Sequence, residues 1–246
     1  MKKLALVLAL LPTLAIAQAP NPPVKPELTE LWTPVPRKVT PGALPGQPPS
    51  DAIILFNGRD LDNWESINGG KAEWTVGKDD FFVAPKAAGI RTKEKFGDVQ
   101  LHVEWMIPVL PANRKGQDRG NSGIFLQGLY EIQVLDTLDN PTYVNGQAGS
   151  IYKQYAPLVN AQKPAPAWQS YDIIYTAPRF YGDGSLAEPA RMTIFLNGVL
   201  VQHNVPLLGP TEYRGIPVYK PHGDGVIMLQ QHNNEVHYRN IWLRKL

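Results

Sequence analysis

The chain of 246 residues contains no cysteine. That absence excludes a disulfide framework, a zinc–cysteine or iron–sulfur site, a thiol nucleophile and the N-terminal cysteine of a lipoprotein anchor. Charge is scarce as well: 19% of the residues are Asp, Glu, Lys or Arg, and the formal net charge is +2. No stretch reaches the roughly 20 consecutive apolar residues that a membrane-spanning helix needs. Nor do any dozen residues carry a helical stripe of apolar positions. The five histidines lack the paired helical spacing of zinc proteases, and no serine sits in a nucleophile elbow.

What is present begins with a leader. Lys2 and Lys3 precede an apolar run from Leu4 to Leu14, and Ala15-Ile16-Ala17 forms a small-x-small cleavage site before Gln18. Residues 1–17 are therefore expected to be a signal peptide and the protein to be exported, either periplasmic or secreted. Loss of Lys2 and Lys3 leaves 22 basic against 22 acidic side chains. A neutral chain gives nucleic acid or an anionic membrane no electrostatic footprint, so neither partner is expected, nor is a membrane anchor.

Residues 18–50 hold ten of the 24 prolines. Proline fixes φ and lacks an amide donor, so this stretch reads as an extended linker or as a strap over the domain surface. Leu31 and Trp32 favour the strap. Residues 51–246 remain for one domain, long enough to bury a substantial core.

Inside that domain the apolar period is two. Val99, Leu101, Val103, Trp105 and Ile107 alternate with Gln100, His102, Glu104 and Met106, the pattern of a strand with one buried face. Asn197-Gly198 between two alternating runs predicts a hairpin with a type I′ turn, whose central residues both need positive φ. About ten short strands, among them Ser122–Gln127 and Tyr130–Asp136, predict an all-β antiparallel sandwich or jelly roll. Trp64, Trp74, Trp105, Trp168 and Trp242 lie within strand patterns and are expected in the core.

The polar residues of one strand stand out. In Tyr130-Glu131-Ile132-Gln133-Val134-Leu135-Asp136, Glu131 and Gln133 share a face, and a one-residue bulge would turn Asp136 onto it. Acidic, polar, acidic at this spacing is similar to the catalytic strand of sandwich-fold endoglucanases, where Asp normally takes the middle place held here by Gln133. The plain alternative is a solvated Glu131 and an Asp136 that caps a turn.

A wider set of motifs follows in order along residues 51–246. They are Leu55-Phe-Asn-Gly-Arg-Asp-Leu-Asp-Asn-Trp64, Glu73-Trp-Thr-Val76, Gly97-Asp-Val-Gln-Leu-His-Val-Glu-Trp105 and Asn121-Ser-Gly-Ile-Phe-Leu126. Tyr130 to Asp136, Gly146-Gln-Ala-Gly-Ser-Ile-Tyr152, Trp168-Gln-Ser-Tyr-Asp-Ile173, Leu196-Asn-Gly-Val199, Ile227-Met-Leu-Gln-Gln-His232 and Tyr238-Arg-Asn-Ile241 complete the series. Together they resemble the 3-keto-disaccharide hydrolase family, which implies a concanavalin A-like jelly roll acting on glycosides oxidised to a ketone at carbon 3. One departure is Gln231, where Asp is expected before His232.

The chemistry that the resemblance implies needs few groups. A ketone at C3 acidifies the C2 proton, so a base can remove it and expel the C1 substituent, after which water adds back. Glu131, Asp136 and His232 are the expected catalytic groups, one as base and another as acid or orienting partner. Histidine titrates ordinarily near neutrality and suits either role. Gln127, Gln133, Tyr152 and Arg239 are expected to contact sugar hydroxyls or the enolate. For Arg239 the alternative is an ion pair with Glu235 or Asp136.

No cofactor is certain. Asp183 and Asp224 lie in Gly-Asp turns without the spacing of a loop cation site, while His232 and His237, close across a turn, keep a divalent metal open. The competing function is a carbohydrate-binding jelly-roll module without turnover.

Overall fold

The computed structural model describes residues 25–246. The expected signal peptide at 1–17 lies outside the described residues. Among the described residues two units are distinguished, residues 25–38 and Val39–Leu246. In the first, residues 25–38 hold a 3₁₀ turn at Pro26–Thr29, in which the Thr29 hydroxyl donates to the Pro26 carbonyl at 3.2 Å. Pro26 favours such a start, since its missing N–H would lack a helical partner anyway.

The second unit is nearly all β-structure. Its larger sheet runs Val199–Pro206, Arg191–Leu196, Gln169–Thr176, Val99–Met106, His237–Lys245, Phe81–Phe82 and Thr75–Val76, with Ile53–Phe56 also pairing on His237–Lys245. The smaller sheet runs Trp64–Ser66, Ile90–Thr92, Met228–Leu229, Ser122–Leu126 and Tyr130–Val134. Arg179–Phe180 and Leu186–Glu188 form a separate hairpin. Every strand pair is antiparallel, giving the expected jelly-roll sandwich.

The core follows the two-residue period. Val99, Leu101, Val103 and Trp105 of the larger sheet are fully buried, as are Ile124, Leu126, Ile132 and Val134 of the smaller one. Asn197 and Gly198 take φ of 53° and 79°, and Leu196 pairs with Val199, so the predicted tight hairpin forms. Strands of two or three residues, such as Trp64–Ser66 and Ile90–Thr92, were too short to show alternation in the sequence.

Three tyrosines carry polar links through this apolar interior. Tyr171 donates to the Gln133 carbonyl and Tyr175 to Gln127 Oε1, both at 2.7 Å. Tyr238 donates to Ser122 Oγ at 2.7 Å, and that hydroxyl donates to the Gln230 carbonyl at 2.6 Å. A buried hydroxyl needs such a partner, and here each partner belongs to the layer that bears the site.

The end of the proline-rich stretch packs on this unit. The carbonyl of Gly46 accepts Asn240 Nδ2 at 2.8 Å and Trp242 Nε1 at 2.9 Å. Beneath it, buried His102 stacks on Trp242 at 5.3 Å and bonds Asp172 at 2.7 Å. Glu104 stands 3.7 Å away, beyond hydrogen-bond reach and close enough for electrostatic attraction. Burial opposes a charge on His102, but the two carboxylates outweigh it and lift the ring to about 9.

Candidate active site

Tyr130–Val134 is the edge strand of the smaller sheet, and the chain covers that edge. The amide of Tyr152 donates to the Glu131 carbonyl, Gln133 N–H to Ser150 and Gly149 N–H to Gln133. These bonds satisfy an otherwise open strand edge and raise a wall beside its outward face. Thr211 meets the same edge, its Oγ1 accepting the Glu131 amide at 2.9 Å, and Tyr213 follows it. A cleft of about 340 Å³ results, lined by Asn121, Phe125, Glu131, Gln133, Tyr152, Thr211, Tyr213, Gln230 and His232.

Glu131 is the only carboxylate among the described residues lining this cleft. Its side chain is 4% exposed, and burial alone pushes its carboxyl up to about 8. Ionising it there would bury a charge that has no ion-pair partner among the described residues, so the neutral form persists toward neutral pH. Gly123, on the paired strand, gives the carboxyl its room: a Cβ at Gly123 would overlap Glu131 Oε1.

The surrounding polar groups suit a hydroxyl-rich ligand. Gln133 Nε2 donates to Gln117 Oε1 at 2.8 Å, whereas Gln133 Oε1 and Gln230 Oε1 are buried without a hydrogen-bond partner among the described residues. Buried acceptors of this kind are rare in folded proteins and match sugar hydroxyl donors. Tyr152 shares a 2.6 Å hydrogen bond with Tyr143, and burial raises the pKa of both phenols. His232 is exposed at the rim, with its carbonyl held by Asn234 Nδ2 at 2.8 Å.

The expected residues thus divide. Glu131, His232, Gln133 and Tyr152 come together. Asp136 does not join them, because the strand ends at Val134 in regular register and the expected bulge is absent. Asp136 is buried and paired with Arg119 Nε at 2.8 Å, and it accepts the Leu138 amide, which is structural work.

Gln127 does not line the cleft either. It sits at φ 53° with its amide tied to Phe96, Gly223 and Tyr175. Arg239 lies on the other sheet, bound to Glu104 at 2.6 Å and 4.1 Å from the Trp168 ring centre, so its ion pair is with neither Glu235 nor Asp136. Gln231 bonds Asn233, and Gln230 and His232, just past the end of Met228–Leu229, line the cleft instead. His237 is held by Asp80 at 2.7 Å and Glu235 at 3.1 Å. Among the described residues, no group of three or more His, Asp or Glu is placed to hold a metal ion.

Asn121, Gln230, Thr211 and Tyr213 join the cleft in addition to the residues the sequence points to. The first two belong to motifs named above, and alternation from His232 would have found Gln230. Thr211 and Tyr213 lie in a loop without periodicity.

The family model described as a 3-keto-alpha-glucoside-1,2-lyase-like domain matches residues 51–244. A crystal structure from Parabacteroides distasonis, provisionally named a glycosyl hydrolase, shares 51% identity over 91% of this chain and 97% of its own, with a TM-score of 0.86. A second from the same organism, with the same provisional name, shares 20% identity over 80% and 94% of the two chains at a TM-score of 0.58, a likeness of fold alone. No curated protein matches the chain.

Proposed function

The chain belongs to the 3-keto-alpha-glucoside-1,2-lyase-like family, and on that premise we propose that it cleaves the C1–O bond of glycosides already oxidised to a ketone at carbon 3. At the family level it is a glycoside-acting hydrolase. The observation that carries the finer reading is the solitary Glu131. An ordinary glycosidase needs two carboxyl groups about 5–9 Å apart across the bond, and the second carboxylate foreseen on this strand, Asp136, is committed to Arg119.

One carboxyl and one imidazole are enough for elimination. His232 takes the C2 proton, and the electron pair of that C–H bond becomes the C1=C2 double bond. The C1–O bond breaks toward the leaving oxygen, which receives the proton of Glu131, a group still largely protonated at neutral pH with a pKa of about 8. Water then adds hydroxide at C1 and a proton at C2, so the net change is hydrolysis. Gln133 and Gln230 accept sugar hydroxyls and orient the ring.

Incubation of the purified protein with a 3-keto-glucoside in heavy water tests this. Aglycone release with deuterium at C2 is expected. Release without C2 exchange, or binding without release as in a carbohydrate-binding module, overturns it. We further assign the chain to an exported compartment on the lysine-led apolar segment before Ala17. Mass measurement of the exported protein, beginning at Gln18, checks that assignment.

A further inference from the structure

Gln133 has one polar atom to spare. Its backbone N–H donates to the Ser150 carbonyl at 3.0 Å, and its own carbonyl accepts the Gly149 N–H at 3.2 Å and the Tyr171 hydroxyl at 2.7 Å. Its Nε2 donates twice, to Gln117 Oε1 at 2.8 Å and to the Gly146 carbonyl at 3.3 Å. Oε1 alone is left, on a residue that is 1% exposed and lines the cleft. An acid at this place would offer acceptors at both ends, whereas an amide needs neighbours that decide which end meets a ligand.

Gln117 is such a neighbour, although it is not among the residues lining the cleft. It sits in the short 3₁₀ turn Gly116–Asp118. Asn140 pins that turn: its Oδ1 accepts the Gly116 N–H at 2.7 Å and its Nδ2 donates to the Gly116 carbonyl at 2.9 Å. Gln117 Nε2 donates to the Gly146 carbonyl at 3.0 Å and to Thr142 Oγ1 at 2.9 Å. A carbonyl can only accept, so Gly146 decides which end of the Gln117 amide is which. Gln117 Oε1 is thereby the end that meets Gln133, and only Nε2 of Gln133 can answer it. A turned Gln133 amide would set its oxygen against Gln117 Oε1 and the Gly146 carbonyl, acceptor against acceptor. Asn121, which lines the cleft, is held by the Gln117 backbone, its Nδ2 donating to that carbonyl at 2.7 Å. With the unpartnered Gln230 Oε1, Gln133 makes this part of the wall one of acceptors. A sugar hydroxyl satisfies it, and the C3 ketone, itself an acceptor, does not.

We propose that Gln117 is a positioning residue that locks the Gln133 amide with its oxygen toward the ligand, so that this wall takes a hydroxyl of the sugar rather than its C3 ketone. The proposal rests on the reading that a 3-keto-glycoside occupies the Glu131 cleft. Gln117 touches no reacting atom and acts through Gln133.

The test compares a 3-keto-glucoside with its 2-deoxy, 4-deoxy and 6-deoxy analogues, using the full chain and its Gln117→Met variant, which keeps the bulk of the side chain and removes the amide. Comparing variant with parent on the same substrate cancels the intrinsic reactivity of each analogue. The complete substrate is expected to lose about tenfold in kcat/KM, and the analogue lacking the hydroxyl that meets Gln133 less than about twofold. Losses equal across all four substrates, or no loss on any, overturn the proposal. The orientation is also read without substrate, from the side-chain amide protons of Gln133 by nitrogen-edited NMR. Both are bonded in the parent, so they should exchange with water at least about tenfold more slowly than those of an exposed glutamine, and exchange should quicken in Gln117→Met. Free exchange in the parent overturns the proposal even where Gln117→Met does not fold, and unchanged exchange in a folded Gln117→Met overturns it too. If no 3-keto-glucoside is cleaved, the reaction assignment has failed while the exchange measurement still decides the role of Gln117.

Discussion

The carboxyl of Glu131 rests over the bare backbone of Gly123, in the space a side chain there would take. Gly123→Ala sets a methyl group against that carboxyl and within 2.9 Å of a Phe125 ring atom. Overpacking of this kind costs about 1–3 kcal/mol, and displacing a reacting group by roughly 1 Å costs about 100-fold in rate. Turnover of a 3-keto-glucoside should therefore fall far more than thermal stability does, as paired kinetics and melting curves would reveal.

Glu131 also gives stability a pH signature. Its folded pKa of about 8 lies above the ordinary carboxyl value of 4.5, so between those values the folded state holds a proton that the unfolded chain has lost. Stability falls as pH rises through this window, by an amount on the order of a few kcal/mol. His102, raised to about 9 from 6.5, adds its own decline at higher pH. Glu131→Gln should remove the first decline and keep the second, while lowering turnover about a thousandfold. Urea denaturation of both proteins from pH 5 to 9 separates the two contributions.

His232→Asn should abolish most turnover, by about 100-fold or more for a lost proton-transfer group. Its ring is exposed at the cleft rim, so the melting temperature should stay close to that of the parent. A variant that melts early would assign His232 a structural role.

Asp136→Asn should show the reverse. The buried carboxylate of Asp136 anchors Arg119, and removing its charge costs about 2 kcal/mol, below the full value for a buried pair because Arg119 keeps contact with water. Activity per folded molecule should survive when assayed well below the melting temperature. Loss of activity in a fully folded variant would return Asp136 to the reaction.

How far the sequence reached depended on what kind of signal each residue carries. Alternation located the Val99–Met106 strand and put Glu131 and Gln133 on a common face, because a two-residue period is written locally. Asn197-Gly198 announced its hairpin by the same local logic. The misplacement of Asp136 has a different origin: a bulge is decided by what pairs across the strand, and Ser122 facing Val134 leaves no extra residue to absorb. Arg239 and Gln127 were drawn away by partners more than a hundred and about thirty or more residues distant, Glu104 in one case and Phe96 and Tyr175 in the other. The Tyr213 wall arises from a loop packed against a strand some eighty residues earlier, a relation that no local pattern encodes.

The position of His237–Lys245 sets an order on assembly. This last strand lies between Val99–Met106 on one side and Phe81–Phe82 with Ile53–Phe56 on the other. On the ribosome the larger sheet consequently stays in three unjoined parts until residues 237–245 emerge. The buried link from Tyr238 through Ser122 to Gln230 closes only then. The cleft thus gains its floor only through strands that lie far apart along the chain, and such long-range closure favours slow folding.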